Sequence, residues 1–149
     1  MDAWYLLNYQ ARIYNKVLNG LAGLAIECYS PKKMVLKARA DKKNCQRVRE
    51  EPLFEGYLFV RFDPELVHTT KITQRPGVNY FVRFGGEPKV IPEEVISALQ
   101  VECDNNLVYC TDDKIAKIPS ELHKTVAGMT ELNDKDARVK ELLNYLNAA

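Results

Sequence analysis

Histidine is nearly missing from this chain of 149 residues: there are two, His68 and His123, alongside four cysteines, Cys28, Cys45, Cys103 and Cys110, with no C-x-x-C pair. That scarcity argues against a zinc centre, and neither a metal site nor a cofactor is expected. Neither histidine has a Cys or Ser partner at motif spacing, and there is no glycine loop of the kind that cradles phosphate, so the chain does not read as an enzyme and no catalytic residue is assigned. Charge of one sign is not in excess either. Twenty-one Lys and Arg against twenty Asp and Glu leave a net charge of +1, so no global field draws the protein onto nucleic acid or anionic lipid, and any DNA contact must be local. No apolar run approaches the roughly 20 residues that span a bilayer. The opening Met-Asp-Ala-Trp-Tyr-Leu-Leu lacks the basic start and cleavage site of a signal peptide. Scattered thiols without an export signal suit a reducing cytoplasm. What is present is the ordinary mixture of a globular protein, 46% hydrophobic and 28% charged, enough for one domain of about 100 residues with a smaller appendage.

Ala3 to Tyr9 is a short aromatic and aliphatic run that reads as a buried strand. Ile13, Val17, Leu21 and Leu24 recur at helical steps and predict a helix over about 12–27, weakened at Gly20 and Gly23. Residues 28–49 suggest two strands with a basic turn at Lys37 to Lys43. Tyr57 to Phe62 is dense in strand formers and predicts a central strand. Asp63-Pro64 has the chemistry of a helix start, and Arg75-Pro76-Gly77 that of a stop. Tyr80 to Phe84 and Lys89 to Ile91 read as strands joined through Gly85-Gly86, a pair suited to positive φ angles. Pro92-Glu93-Glu94 opens a further helix that carries Val95, Ile96 and Leu99 on one face. The alternation predicts an α/β sandwich of α+β type, one mainly antiparallel sheet flanked by helices, over 1–103.

Residues 104–113 read as a linker. Beyond it, over 114–149, Ile115, Ile118, Leu122, Val126 and Met129, then Val139, Leu142, Leu143 and Leu146, follow helical spacing and predict a C-terminal α-helical hairpin. Pro119 is tolerable only near the start of the first helix, and Asn133, Asp134 and Asp136 are placed to cap the second. Two helices this short cannot bury an apolar face alone, so that face should dock on the main domain or on a partner.

Trp4-Tyr5-Leu6-Leu7, the block from Glu51 to Val60, and Gly77-Val78-Asn79-Tyr80-Phe81-Val82-Arg83-Phe84-Gly85 resemble, in order and spacing, the N-terminal domain of the NusG family of transcription elongation factors. The resemblance runs over about 1–103. Phe62 to Thr70, together with Asp136-Ala137-Arg138 and Leu142-Leu143-Asn144, is similar to the specialised, RfaH-like branch of that family. The resemblance implies a cytoplasmic factor that binds RNA polymerase during elongation, bridging the β′ clamp helices and the β gate loop, and that promotes read-through of selected long operons. It implies that Tyr9, Phe54, Tyr57, Phe84, Ile96 and Leu99 receive the clamp-helix tip and that His68, Thr69 and Thr70 meet the gate loop. It further implies a tail that masks the polymerase site, held partly by Glu51 with Arg138 and mostly by Val126, Met129, Leu142 and Leu146. As a surface ion pair, Glu51 with Arg138 would be worth about 0 to 1 kcal/mol. A monomer is expected, because the tail's apolar face has a site within the chain to cover.

Two departures qualify this. Where the family's tail can be a barrel with Gly-Asp and Phe-x-Gly patterns that recruit a ribosomal protein, this chain has Asp112-Asp113-Lys114 and Glu121-Leu122-His123, and the sequence runs only to Ala149. The tail is expected to stay helical, which speaks against ribosome coupling through it. The basic residues and His with which the RfaH-like branch reads the non-template DNA strand are replaced by Gln10, Gly20 and Gly23. Arg12, Lys16 and Arg75 stay nearby as DNA phosphate contacts, which position a protein without reading sequence.

Without the resemblance the same residues read more plainly: the aromatics as core, His68-Thr69-Thr70 as a solvated patch, Arg12 and Lys16 as ordinary helix charges, Glu51 and Arg138 as unpaired surface charges. A second function also stays open, a non-catalytic module that docks on polymerase or ribosome and competes with the housekeeping elongation factor.

Overall fold

The computed structural model describes residues 2–38, 46–103 and 119–148. The basic turn over much of 37–43, the linker at 104–113, Asp112-Asp113-Lys114, Ile115, Ile118, Cys45 and Cys110 fall wholly or largely outside those residues. Chain order is β1 (Ala3–Tyr9), a 3-10 turn (Ala11–Ile13), α1 (Tyr14–Leu21), β2 (Glu27–Tyr29), β3 (Lys32–Ala38), β4 (Gln46–Pro52), β5 (Tyr57–Phe62), α2 (Thr69–Thr73), β6 (Val78–Phe81), β7 (Val90–Ile91), α3 (Glu93–Cys103), α4 (Ser120–Glu131) and α5 (Lys135–Ala148). It is an α+β sandwich with a C-terminal helical hairpin. Among the described residues, no helix is long and apolar enough to cross a membrane.

Antiparallel pairing runs β2-β5-β1-β6, with β7 on the other end of β1. The β3–β4 hairpin forms its own two-stranded sheet, so the single sheet expected from the sequence is in fact two. Strands β1 and β5 are central and buried on both faces over most of their length, which is why they read as dense apolar runs. Side chains alternate across them with period two. Tyr5, Leu7 and Tyr9 join Leu58, Val60 and Phe62 on one face, under Val17 and Leu21 of α1 and Ile72 of α2. Trp4, Leu6 and Phe59 face the other way, under α3 and the two tail helices.

Several predicted boundaries move. The first helix is shorter than 12–27: it begins as a 3-10 turn and ends at Leu21, before Gly23, with Ile13 and Leu24 still packed on the core from outside it. Asp63 makes a turn and not a helix, accepting from Glu65 N at 2.9 Å, because Val67 must point inward while His68 is extended (ψ 142°). The helix starts after His68, whose ring nitrogen caps it. The two strands after Gly77 are Val78–Phe81 and Val90–Ile91, with one bridge between Arg83 and Pro88, and of the two turn glycines only Gly85 has positive φ (+121°).

Gly77 is obligatory at its place. Its φ is +86°, and a Cβ there would lie 2.6 Å from Ile13 Cδ1 and 2.7 Å from Val17 Cγ2. The start of β6 therefore fits under α1 only as glycine.

In the tail, Pro119 stands at the N-cap of α4, where its missing N–H costs nothing. Asp134 Oδ1 accepts from Asp136 N at 3.0 Å at the start of α5. Both helices place their apolar residues on the main domain: Leu122, Val126, Met129, Leu142 and Leu146 are all buried in the cluster under β1, β5 and α3.

Candidate functional site

The surface beneath the tail is built from three local pieces. Ile96 and Leu99 stand three apart on α3 and so share one face. Phe54 sits in the tight turn between β4 and β5, held by Leu53 N donating to Pro31 O (2.8 Å), Tyr57 N donating to Phe54 O (3.1 Å) and the positive φ of Gly56 (+87°). Its ring meets Phe59 edge-on at 6.3 Å. Phe54, Ile96 and Leu99 belong to one buried cluster with Leu122, Val126, Met129, Leu142 and Leu146, and Tyr57 packs at its margin. Each such aliphatic side chain, removed from water, stabilises the docked tail by about 1.5–3 kcal/mol before ordering entropy is counted.

Glu51 and Arg138 meet at 2.8 Å between Oε1 and Nη2, and the pair is not the surface bridge that the sequence suggested. The Arg138 side chain is 0% exposed and that of Glu51 only 9%. Arg138 also donates to the carbonyls of Leu53 (3.2 Å), Asn133 (3.4 Å) and Pro52 (3.5 Å). A guanidinium taken out of water needs these acceptors to offset desolvation, and removing either partner of such a pair leaves a costly buried charge. The contact is therefore a register pin for the tail, fixed by geometry more than by net attraction.

Three further contacts sew the seam and carry no sequence signal, because their residues lie far apart in the chain. Lys135 Nζ meets Glu55 Oε2 at 3.2 Å, His123 Nε2 meets Glu102 Oε1 at 3.1 Å, and Lys33 Nζ donates to Leu132 O at 3.4 Å. Leu122, visible in the helical spacing, completes the apolar lining.

The other two aromatic candidates lie elsewhere. Tyr9 follows the parity of Tyr5 and Leu7 onto the opposite face, where its ring is 5.7 Å from that of Tyr14. Burial, aided by Tyr14, pushes its hydroxyl up to about 12 against an opposing backbone hydrogen bond from Gly56. Phe84 lies beyond the end of β6 and is 39% exposed. Tyr57 also titrates above the ordinary range, through burial first and then its neighbour Tyr80.

His68 and Thr70 are exposed at the entry to α2, with half-buried Thr69 between them. Thr70 N donates to His68 Nδ1 (3.2 Å), with the Thr70 hydroxyl 2.8 Å from the same nitrogen. In the neutral imidazole that leaves the proton on Nε2, a donor pointing away from the cap. Arg12 and Lys16 are exposed, and Arg75 is half-buried with its Cβ 3.8 Å from where a Cβ of Gly20 would stand. Lys16 and Gly20 are four apart on α1, so Lys16 and Arg75 fall on one side of the molecule. Arg75 lines a shallow groove of about 430 Å³ with Leu24, Lys71, Gln74 and Pro76.

Comparison with known protein families decides the assignment. The family model described as transcription termination factor nusG matches residues 2–100, which takes in every strand among the described residues. The chain belongs to the NusG family. NusG-family proteins are non-catalytic transcription elongation and termination factors that bind RNA polymerase. In this member the matched span supplies both faces of the sheet and most of α3, and α4 and α5 lie beyond it.

Proposed function

We propose that this NusG-family protein is an antitermination factor of the RfaH-like kind, held inactive by its own tail. The observation that carries the reading is the sharing of one apolar cluster by Phe54, Ile96 and Leu99 with Val126, Met129, Leu142 and Leu146. Residues 1–103 are the polymerase-binding domain, 104–113 the linker and 114–149 the mask. The β′ clamp helices take the place of α4 and α5 on Phe54, Tyr57, Ile96 and Leu99, with Phe84 at the rim and Tyr9 supporting β1 from behind. His68, Thr69 and Thr70 engage the β gate loop through the outward Nε2–H and the hydroxyls, and Arg12, Lys16 and Arg75 lie against phosphates of the non-template strand. Buried aromatic and aliphatic anchors dominate interfaces of this type, and the polar contacts give register.

The test is terminator read-through with purified bacterial RNA polymerase, comparing the native chain with Arg138→Ala. Read-through that rises when Arg138 is removed supports the reading. Tight binding of both proteins with no change in read-through would replace it with a docking module that competes with the housekeeping factor.

A further inference from the structure

The sheet face that the tail covers is not covered to its end. Reading across β5, β1 and β6, Phe59, Leu6 and Val82 form a row that is buried throughout, Leu6 pairing with Phe59 and accepting from Val82 N at 2.8 Å. The next row on the same face is Tyr57, Asn8 and Tyr80, each paired in register with Asn8 at the centre. Here burial stops. Tyr80 is 52% exposed, and Tyr57 and Asn8 are half-buried.

The row is ordered although it is open. The Tyr57 hydroxyl lies against the side chains of both Tyr80 and Asn8. Asn79 Nδ2 donates to Asn8 Oδ1 at 2.8 Å. The register shifts here: Asn8 faces Tyr80 while Tyr9 faces Val78, which leaves Asn79 as an extra residue in β6. Val78 and Phe81 pack on the opposite core, so the bulge turns two consecutive residues, Asn79 and Tyr80, to the open side. Tyrosine rings packed side by side on a sheet offer large contact area at little entropic cost on binding. Tyr57 belongs to both regions, packed on the tail-covered cluster and set in the open row.

We infer that the Asn8, Tyr57 and Tyr80 row, with Asn79, is a landing strip on which the polymerase element settles while the tail is still docked, before it displaces α4 and α5. This rests on the proposed function above and adds an order of events: engagement comes first at the open row and spreads into the masked cluster. A mask that had to leave unaided would hold the association rate to its own opening rate. A partner that lands beside the mask makes first contact at a rate that rises with its concentration.

Association of the full-length chain with purified bacterial core RNA polymerase tests this, measured over a range of polymerase concentrations. Tyr80→Thr keeps a strand former and Asn79→Ala removes only the 2.8 Å bond, so two variants of the open row are available. Each is compared in the native background and with Arg138→Ala, where the tail is released. The expected result is an association rate constant lowered about tenfold by Tyr80→Thr in the native background and by less than about twofold with Arg138→Ala, with Asn79→Ala smaller in the same pattern. Equal losses in both backgrounds would make Tyr80 an ordinary contact of the final complex and overturn the landing order, as would an association rate that saturates at a value no variant of the row changes. Absence of binding by every protein, Arg138→Ala included, would instead remove the polymerase-masking reading and the landing strip with it.

Discussion

Tyr5, Leu7 and Tyr9 on one side of β1 and Trp4 and Leu6 on the other are comparably buried, but the covers over them differ in origin. The first side is closed by α1 and α2, each joined to the sheet by a short connection within the matched family span. The second is closed by α3 and by a hairpin that arrives from beyond residue 118. The first cover is packed as tightly as Gly77 demands, with no room for one methyl group. The second is fastened by a buried ion pair, the partly exposed Lys135–Glu55 pair and the His123–Glu102 contact, over an apolar seam. Equal burial therefore rests on different fastenings: one interface is closed by sterics along a continuous chain, the other by apolar packing of the tail helices in a register set by a buried charge pair.

The largest effect expected on that comparison is from Arg138→Ala. Breaking a buried pair costs about 3–5 kcal/mol, which the protein relieves by releasing the tail and wetting Glu51. Trp4, the one tryptophan, lies in the tail-covered cluster, so its emission should shift to the red while the first core stays folded. Exchanging both partners for Met and Leu should instead leave docking unchanged or strengthen it by about 1–4 kcal/mol, with blue emission retained. Should the double exchange also release the tail, the pair contributes net attraction and not only register.

Gly77→Ala strikes the other side. A positive φ combined with contacts under 3 Å predicts a loss of about 2–3 kcal/mol, seen as a lower Tm in thermal unfolding. Polymerase affinity per folded molecule should hold. A change in affinity without a change in Tm would show that the two faces are coupled.

Alkali should separate them next. Tyr9 stays neutral to about 12 in the folded protein against about 10 when unfolded. The stability tied to its neutral form is complete below pH 10 and is lost as pH rises from 10 to 12, about 2–3 kcal/mol at most. Tyr9→Phe should flatten that fall in a series of urea titrations, and an unchanged fall would place the loss at Cys28, Tyr5 or Tyr57.

Smallest is Lys135→Ala. The partly exposed pair with Glu55 is worth under about 1 kcal/mol, so docking should weaken less than fivefold by the Trp4 signal. A loss as large as that of Arg138→Ala would make the seam, and not the buried pin, the fastening.

Much of this was legible in the sequence where a short-range period governs. Strands β1 and β5 showed as dense apolar runs, and α4 and α5 as three- and four-residue spacing, because in both cases the burying face repeats with the backbone's own geometry. Local competition was harder to read. Asp63-Pro64 has the composition of a helix start, yet Val67 turns inward and the helix waits for His68. Tyr9 has the parity of Tyr5 and Leu7, so its place in their cluster follows from the strand's period of two, a signal that family register does not carry. The burial of Glu51 with Arg138 was beyond any local pattern. Whether two charges 87 residues apart are wet or dry depends on what packs around them, and here the surroundings include the carbonyls of Pro52 and Leu53.

The extra residue in β6 has a consequence for which substitutions the strand tolerates. In a regular strand, an insertion or deletion exchanges the two faces and destroys the core. At this bulge Val78 and Phe81 keep their inward places while Asn79 and Tyr80 stand on the open face, tied only to neighbours on that face. Asn79 and Tyr80 can therefore be exchanged without changing which residues fill the fold's interior.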